Sequence, residues 1–246
     1  KLIERSEKVY IAGDDDQAIY QWAGADVNAL LLRANREGSI KDVLKQSYRI
    51  PASIHPYAIS LINRNKNREP KIWNPCKEKG LIKFPNYKDL SLFKEGQWLL
   101  LAPTGYHLDK ICSDMRSQGI YFKRKGFFSV SQESIDAMFA WEKLQQGERL
   151  FLNEVKLIYK YISSKTGLKW GAKKLLGVTE DETLTYEDLR NQHGLLISAA
   201  TPWHAALDRM SEREQRMINS LLKKKENLKK PPRITVSTIH GAKGGE

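Results

Sequence analysis

The sequence predicts an α/β protein in which a parallel sheet domain is interrupted by a helical insertion. Residues 97–103, QWLLLAP, form a continuous apolar run closed by Pro-Thr-Gly, the pattern of a buried parallel strand. A helix over 107–118 follows, with Gly119 as its C-terminal cap, and then a strand over 120–123; together they make a βαβ unit. From about residue 150 to 230 the pattern becomes helical, after which Ile234 and Val236 alternate as in a strand.

The other elements follow in chain order. Val9-Tyr10-Ile11-Ala12 reads as a short buried strand running into the polar loop Gly13-Asp14-Asp15-Asp16-Gln17. Residues 26–36 read as a helix with Asp26 as N-cap. A short strand over 42–45 leads into the loop QSYRIP, and Pro51 suits the first turn of a helix reaching about residue 64. Ser131 caps a helix that places Ile135, Met138, Phe139 and Glu142 on one face and ends at Gly147. Residues 151–163 carry Val155, Ile158, Tyr159 and Ile162 at helical spacing. Thr201-Pro202 opens another helix, and Ser211 with Glu214 has capping-box spacing for one more. That helix is expected to run into the basic stretch 223–230 and to stop at Pro231-Pro232.

The 246 residues make one large domain or two modest ones. A hydrophobic share of 41%, a charged share of 28% and a mean hydropathy of −0.54 describe a globular chain rather than a disordered or membrane-embedded one. No apolar run approaches the roughly 20 residues of a membrane helix, and the opening KLIERSEKVY has no apolar signal-peptide core. Cys76 and Cys112 are the only cysteines, and nothing has zinc-ligand spacing, so a reduced, intracellular setting is expected. Lys and Arg number 41 against 29 Asp and Glu, a net charge of +12 that attracts polyanions. With no amphipathic anchor or lipidation signal, nucleic acid ranks ahead of membrane or acidic protein. The chain opens without Met and stops at GAKGGE, where a helix is about to begin, so a segment of a longer protein is expected.

Three constellations carry chemistry. In GDDDQAIYQWAGA, Gln17 can orient a water or touch a terminal phosphate, and Tyr20 and Trp22 can offer flat faces to bases. An acidic turn before an aromatic core plug is the equally open structural alternative. The three consecutive aspartates suggest a metal site, but adjacent carboxylates on a turn are expected to diverge, so no metal ligand is assigned. In SYRIP, Tyr48 can stack on a base and Arg49 can grip phosphate oxygens through parallel hydrogen bonds; a surface Arg beside a packed Tyr is the alternative. In VSTIHGAKGGE, a strand leads into small residues with hydroxyl, imidazole and ammonium groups, a turn suited to a phosphodiester. The GAKGG segment does not meet the spacing of a phosphate-binding P-loop.

GDDDQAIYQWAGA, QSYRIP and STIHGAKGGE, in that order, resemble motifs III, IV and V of superfamily 1 DNA helicases of the UvrD/Rep/PcrA type. The resemblance runs from about residue 9 to 246. APTGYHLDKICSDMRSQGIYF resembles the family's motif IVa region, with Pro103 where Arg is usual. Ala23 stands where the family often has Arg, and Gly245, in place of the usual Leu, resembles phage-encoded relatives.

The resemblance implies an ATP-driven translocase with two RecA-like lobes, ATP and Mg²⁺ in the cleft between them and single-stranded DNA across the top, moving 3′→5′. By position, Gln17 would sense the γ-phosphate, Tyr48 would stack on adenine, Arg49 would act as the finger on the γ-phosphate and Glu246 would bond the ribose. Tyr20, Trp22, Thr238 and His240 would contact the single strand. Residues 1–30 would end the first lobe. Residues 31–149 and 233–246 would build the second, a RecA-like sheet domain of P-loop NTPase type, and residues 150–232 would be a short accessory insertion (2B-like). The P-loop and the Asp-Glu motif that holds Mg²⁺ would precede Lys1, and the final Arg motif would follow Glu246, so the chain alone is expected not to hydrolyse ATP. Single-stranded DNA, single-strand/duplex junctions and replication or repair proteins would be its partners, in the cytoplasm of a bacterium or a phage-infected host. A non-catalytic nucleic-acid-binding module and a helicase–nuclease fusion are the alternatives.

Overall fold

The computed structural model describes residues 7–19, 23–84, 95–175 and 177–243. The chain divides into two compact units, Lys1–Asp89 and Leu90–Glu246.

The first unit holds helices α1 (Val27–Ala34) and α2 (His55–Ile62). Asp26 starts α1 as expected: its carboxylate accepts from the Asn28 N–H at 2.9 Å, satisfying a donor that the first turn leaves open. α2 does not take Pro51 into its first turn as expected: Pro51–Ile54 form a turn, the Pro51 carbonyl accepts from the N–H groups of Ile54 and His55, and Pro56 occupies the first turn instead. Residues 9–12 are not a strand. Val9, Tyr10 and Ile11 are exposed, and among the described residues no segment pairs with them; an isolated extended run has nothing to hold it as sheet. Nor do residues 42–45 form a strand: among the described residues they reach no ladder beyond an isolated bridge at Gln46–Asn74 and the bond from the Asn74 N–H to the Lys45 carbonyl, and Leu44 is exposed.

The second unit contains a mostly parallel sheet. Its strands are β1 (Trp98–Ala102), β2 (Phe122–Arg124), β3 (Phe127–Phe128) and β6 (Ile234–Thr238), in spatial order β1-β6-β2-β3. β6 lies parallel to both β1 and β2, while β3 turns back antiparallel to β2. The β1-α3-β2 unit read from the sequence is present, but its two strands are separated by β6. Helix α3 (Gly105–Ser117) is capped by Thr104 and covers one sheet face, packing Leu108, Cys112 and Met115 against Ala102, Phe122, Ile234 and Val236. On the opposite face of β1, Leu99 and Leu101 are 55% and 46% exposed. Gly119 follows α3 with φ +58°, a left-handed conformation in which Gly carries no Cβ penalty.

The helical stretch has a separate core. It is built by α4 (Gln132–Gln145), α5 (Leu152–Tyr161), α6 (Tyr186–Asn191), α7 (Trp203–Ala206) and α8 (Glu212–Lys223), with a small pair of strands, β4 (Leu150–Phe151) and β5 (Thr183–Leu184). Ile135, Met138, Val155, Ile158, Tyr159 and Ile162 are buried there as the spacing predicts; Phe139 and Glu142 are only half-buried, and Trp141, which the spacing does not single out, is fully buried. The expected caps at Ser131 and Ser211 are both made, to the N–H groups of Ser134 and Glu214. Glu214 also accepts from Ser134 at 2.8 Å, tying the first turn of α8 to that of α4. Two boundaries differ from expectation. The helix at Pro202 is only four residues long, and α8 stops at Lys223, before the prolines. Lys225, at φ +57°, shows the chain turning there already. No described helix is long and apolar enough to cross a membrane.

Candidate nucleotide and nucleic-acid site

The acidic turn is a short 3₁₀ helix, Asp15–Gln17, capped by Asp14. One Asp14 carboxylate oxygen accepts from the Asp16 N–H at 3.2 Å and the other from Gln17 Nε2 at 2.6 Å, so Asp14 fixes the amide end of Gln17. The three carboxylates do not diverge. An oxygen from each lies within 4.8 Å of the others, drawn together by the tight winding and by one cation. The Lys71 ammonium lies 3.0 Å from Asp14 Oδ1 and 3.0 Å from Asp16 Oδ2, and it also donates to Asp15. Arg68 grips Asp16 with two parallel bonds, Nε to Oδ1 and Nη2 to Oδ2, each 2.8 Å. The Glu69 N–H donates to Asp15 Oδ2 at 2.6 Å.

The electrostatics match this geometry. Burial raises the Asp15 carboxyl, but Lys71 and the Glu69 N–H outweigh it and hold it below the usual 3.8. The Arg68 bonds hold Asp16 below the same value. Burial alone would depress the Lys71 ammonium, yet the three carboxylates carry it well above its ordinary value. Asp15, Asp16 and Lys71 are thus each held in the charged form by their neighbours.

The second loop, residues 46–51, is held by its backbone. Ser47 Oγ accepts from the N–H groups of Arg49 at 3.3 Å and Ile50 at 3.1 Å, a hydroxyl-stabilised turn. Ser47 N–H donates to the Asn74 carbonyl, Asn74 N–H to Lys45 and Cys76 N–H to Ile50, at 2.9, 2.7 and 2.8 Å. Gln46 Nε2 donates to the Pro75 carbonyl. With the main chain fixed, Tyr48 is left 86% exposed and Arg49 is exposed beside it. An aromatic face next to a guanidinium fork suits a base and a phosphate.

A single stretch of chain, residues 68–79, serves both loops. Its first part grips the Gln17 turn, and its second pairs with the Arg49 loop. Sequence reasoning missed Arg68 and Lys71: nothing local marks a basic residue as the partner of carboxylates more than fifty positions away.

The third loop lies at the carboxyl edge of the parallel sheet in the second unit, where open α/β sheets take their ligands. Thr238 ends β6 and caps the short helix α9 (Ile239–Ala242), its Oγ1 accepting from the Gly241 N–H at 2.9 Å. The turn has little spare room: a Cβ on Gly241 would lie 2.9 Å from Ser237 Oγ and 3.1 Å from Thr238 Oγ1. In the sheet register Thr238 stands opposite Ala102, so the Thr104 cap of α3 shares this edge. Thr104 Oγ1 lies 2.8 Å from His107 Nδ1, and His240 is exposed. Gln17 and Arg49 thus belong to the first unit, and Thr238 and His240 to the second. Tyr20, Trp22 and Glu246 lie outside the described residues.

No protein-family model matches the chain. Known proteins do. The chain is 36% identical over 101 residues to the ATP-dependent DNA helicase PcrA of Bacillus subtilis, covering 40% of this chain and 13% of that protein. It is 41% identical over 69 residues to the probable DNA helicase II homolog of Rickettsia conorii, covering 27% of this chain and 11% of the relative. It is 44% identical over 63 residues to DNA helicase II of Rickettsia typhi, covering 25% and 10%. The chain is similar in part to UvrD/PcrA-type DNA helicases. The matched stretches span only about an eighth or less of those relatives.

Proposed function

We propose that the chain is the C-terminal motor portion of an ATP-dependent DNA helicase that moves 3′→5′ along single-stranded DNA and opens duplex ahead of it. One observation carries the reading. The stretch 68–79 holds both the Gln17 turn and the Tyr48–Arg49 loop, the two places where the helicase resemblance puts contacts to one nucleotide.

In this reading residues 1–30 close the first motor lobe, and residues 31–149 with 233–246 form the second, RecA-like lobe. Residues 150–232 are an accessory insertion. The return of β6 between β1 and β2 supports an insertion between these strands, although its core also takes in α4, which precedes residue 150. ATP, with Mg²⁺, would supply the phosphoanhydride whose cleavage drives movement. Tyr48 stacks on adenine. Arg49 neutralises charge developing on the γ-phosphate. Gln17 orients toward the same phosphate, and Glu246 bonds the ribose. Tyr20, Trp22, Thr238 and His240 follow the single strand, with the protein's net charge of +12 drawing the polyanion in. The setting is the cytoplasm, at single-strand/duplex junctions, in company with replication or repair proteins.

The test uses the purified chain. Fluorescence anisotropy with a single-stranded oligonucleotide is expected to show binding that weakens steeply with added salt. His240→Ala should cost about 0.5–1.5 kcal/mol, the scale of one hydrogen bond. Steady-state assays should detect no ATP turnover by the chain alone. Absent DNA binding at low salt, or real turnover, would overturn the proposal.

A further inference from the structure

We infer that Lys71 and Arg68 are positioning residues for Gln17, and that the chain from 68 to 79 makes the Gln17 turn and the Arg49 loop move as one piece. The inference rests on the motor reading above. With the lobe boundary at about residue 30, the turn belongs to the first lobe and Lys71 to the second, so this ion cluster is a joint between the lobes.

The contacts form a relay. Lys71 donates to Asp14 Oδ1, and the other oxygen of Asp14 holds Gln17 Nε2. Arg68 and the Glu69 N–H fix the next two carboxylates, so every acid of the turn is engaged by the segment 68–71. The joint is also shielded: the Lys71 side chain is 16% exposed and that of Asp15 only 6%. Pulling the two sides apart would strand buried charge, which is costly, so displacement of one side carries the other with it. Only Ile72 and Trp73 separate Lys71 from Asn74, whose backbone pairs with residues 45 and 47 on the Arg49 loop. A shift of Arg49 toward a phosphate is therefore passed through a short, hydrogen-bonded stretch to Asp14 and Gln17. Neither Lys71 nor Arg68 need touch the nucleotide.

The test uses the intact helicase and reads single-strand-stimulated ATP hydrolysis beside DNA affinity. Lys71→Met, which keeps chain length and removes the charge, is expected to lower kcat by about tenfold or more, as misplacement of a catalytic group does, with single-strand affinity unchanged. Lys71→Arg should restore most of the rate. In the Gln17→Ala background, Lys71→Met should add almost no further loss, because both changes act through the same amide. Wild-type kcat in Lys71→Met, no rescue by Lys71→Arg, losses that add to those of Gln17→Ala, or a parallel loss of DNA affinity would each overturn the inference. If thermal melting shows that Lys71→Met does not fold, Arg68→Gln, which leaves the ammonium in place, is read by the same criteria. If Gln17→Ala and Arg49→Ala themselves keep full turnover, the motor reading has failed, and this inference fails with it. Loss of turnover in those two variants with a normal Lys71→Met removes this inference alone.

Discussion

Under the proposed motor reading, Arg49→Ala in the full-length protein is expected to lower DNA-stimulated ATP hydrolysis by about 10³–10⁵-fold, the range of an arginine finger, with DNA binding nearly unchanged. The structural reason is a division of labour within one loop. The main chain from 46 to 51 is fixed by Ser47 Oγ, by the pairing with Asn74 and by the Cys76 N–H, none of which uses the Arg49 side chain. Truncating that side chain leaves the loop in place and removes only a guanidinium that points to solvent. Arg49→Lys should fall between the two, because an ammonium keeps the charge but not the planar fork that meets two phosphate oxygens at once. A variant with normal hydrolysis and lost DNA binding would assign Arg49 to the strand instead.

Trp141→Ala is expected to destabilise the second unit by about 3–5 kcal/mol, the cost of a large aromatic removed from a packed core. Trp141 has no exposed surface and sits in the core that α4 shares with α5, α7 and α8. Its Nε1–H also donates to the Thr201 carbonyl at 2.9 Å. That carbonyl keeps a second donor, Gln145 Nε2 at 3.0 Å, so the penalty comes from the void and not from an orphaned acceptor. Trp141→Phe, which fills most of the space, should therefore cost well under half as much. Against the roughly 5–15 kcal/mol that holds a typical domain, the alanine variant should unfold at markedly lower urea. A midpoint close to the parent's would mean that the helical core closes around the gap.

What the sequence reveals and what it hides divide along the range of the interaction. Asp26, Ser131 and Ser211 are read correctly as caps because a cap joins a side chain to an amide two or three residues away. β1 and β6 are legible as an unbroken apolar run and as an alternation, and Gly119 as a helix stop. The seating of β6 between β1 and β2 is a long-range choice that no local pattern records. Residues 9–12 have a strand's composition without a partner strand among the described residues, and composition cannot supply one. The convergence of the acidic run is hidden for the same reason. Its carboxylates converge because Lys71 and Arg68 arrive from far along the chain. The chemistry of Arg49, Tyr48 and Gln17 is legible locally, the roles proposed for them rest on the helicase resemblance, and the stretch that joins their loops is a feature of the three-dimensional structure alone.

The proposed motor has the loop carrying Tyr48 and Arg49 facing the nucleotide. Photo-crosslinking the intact helicase with an azido-adenine analogue of ATP, followed by peptide mapping, reads this directly. Label on residues 46–51 that unlabelled ATP competes away, and that Tyr48→Ala sharply reduces, is the result expected here. Competable label confined to other segments, with residues 46–51 unmodified, would contradict it.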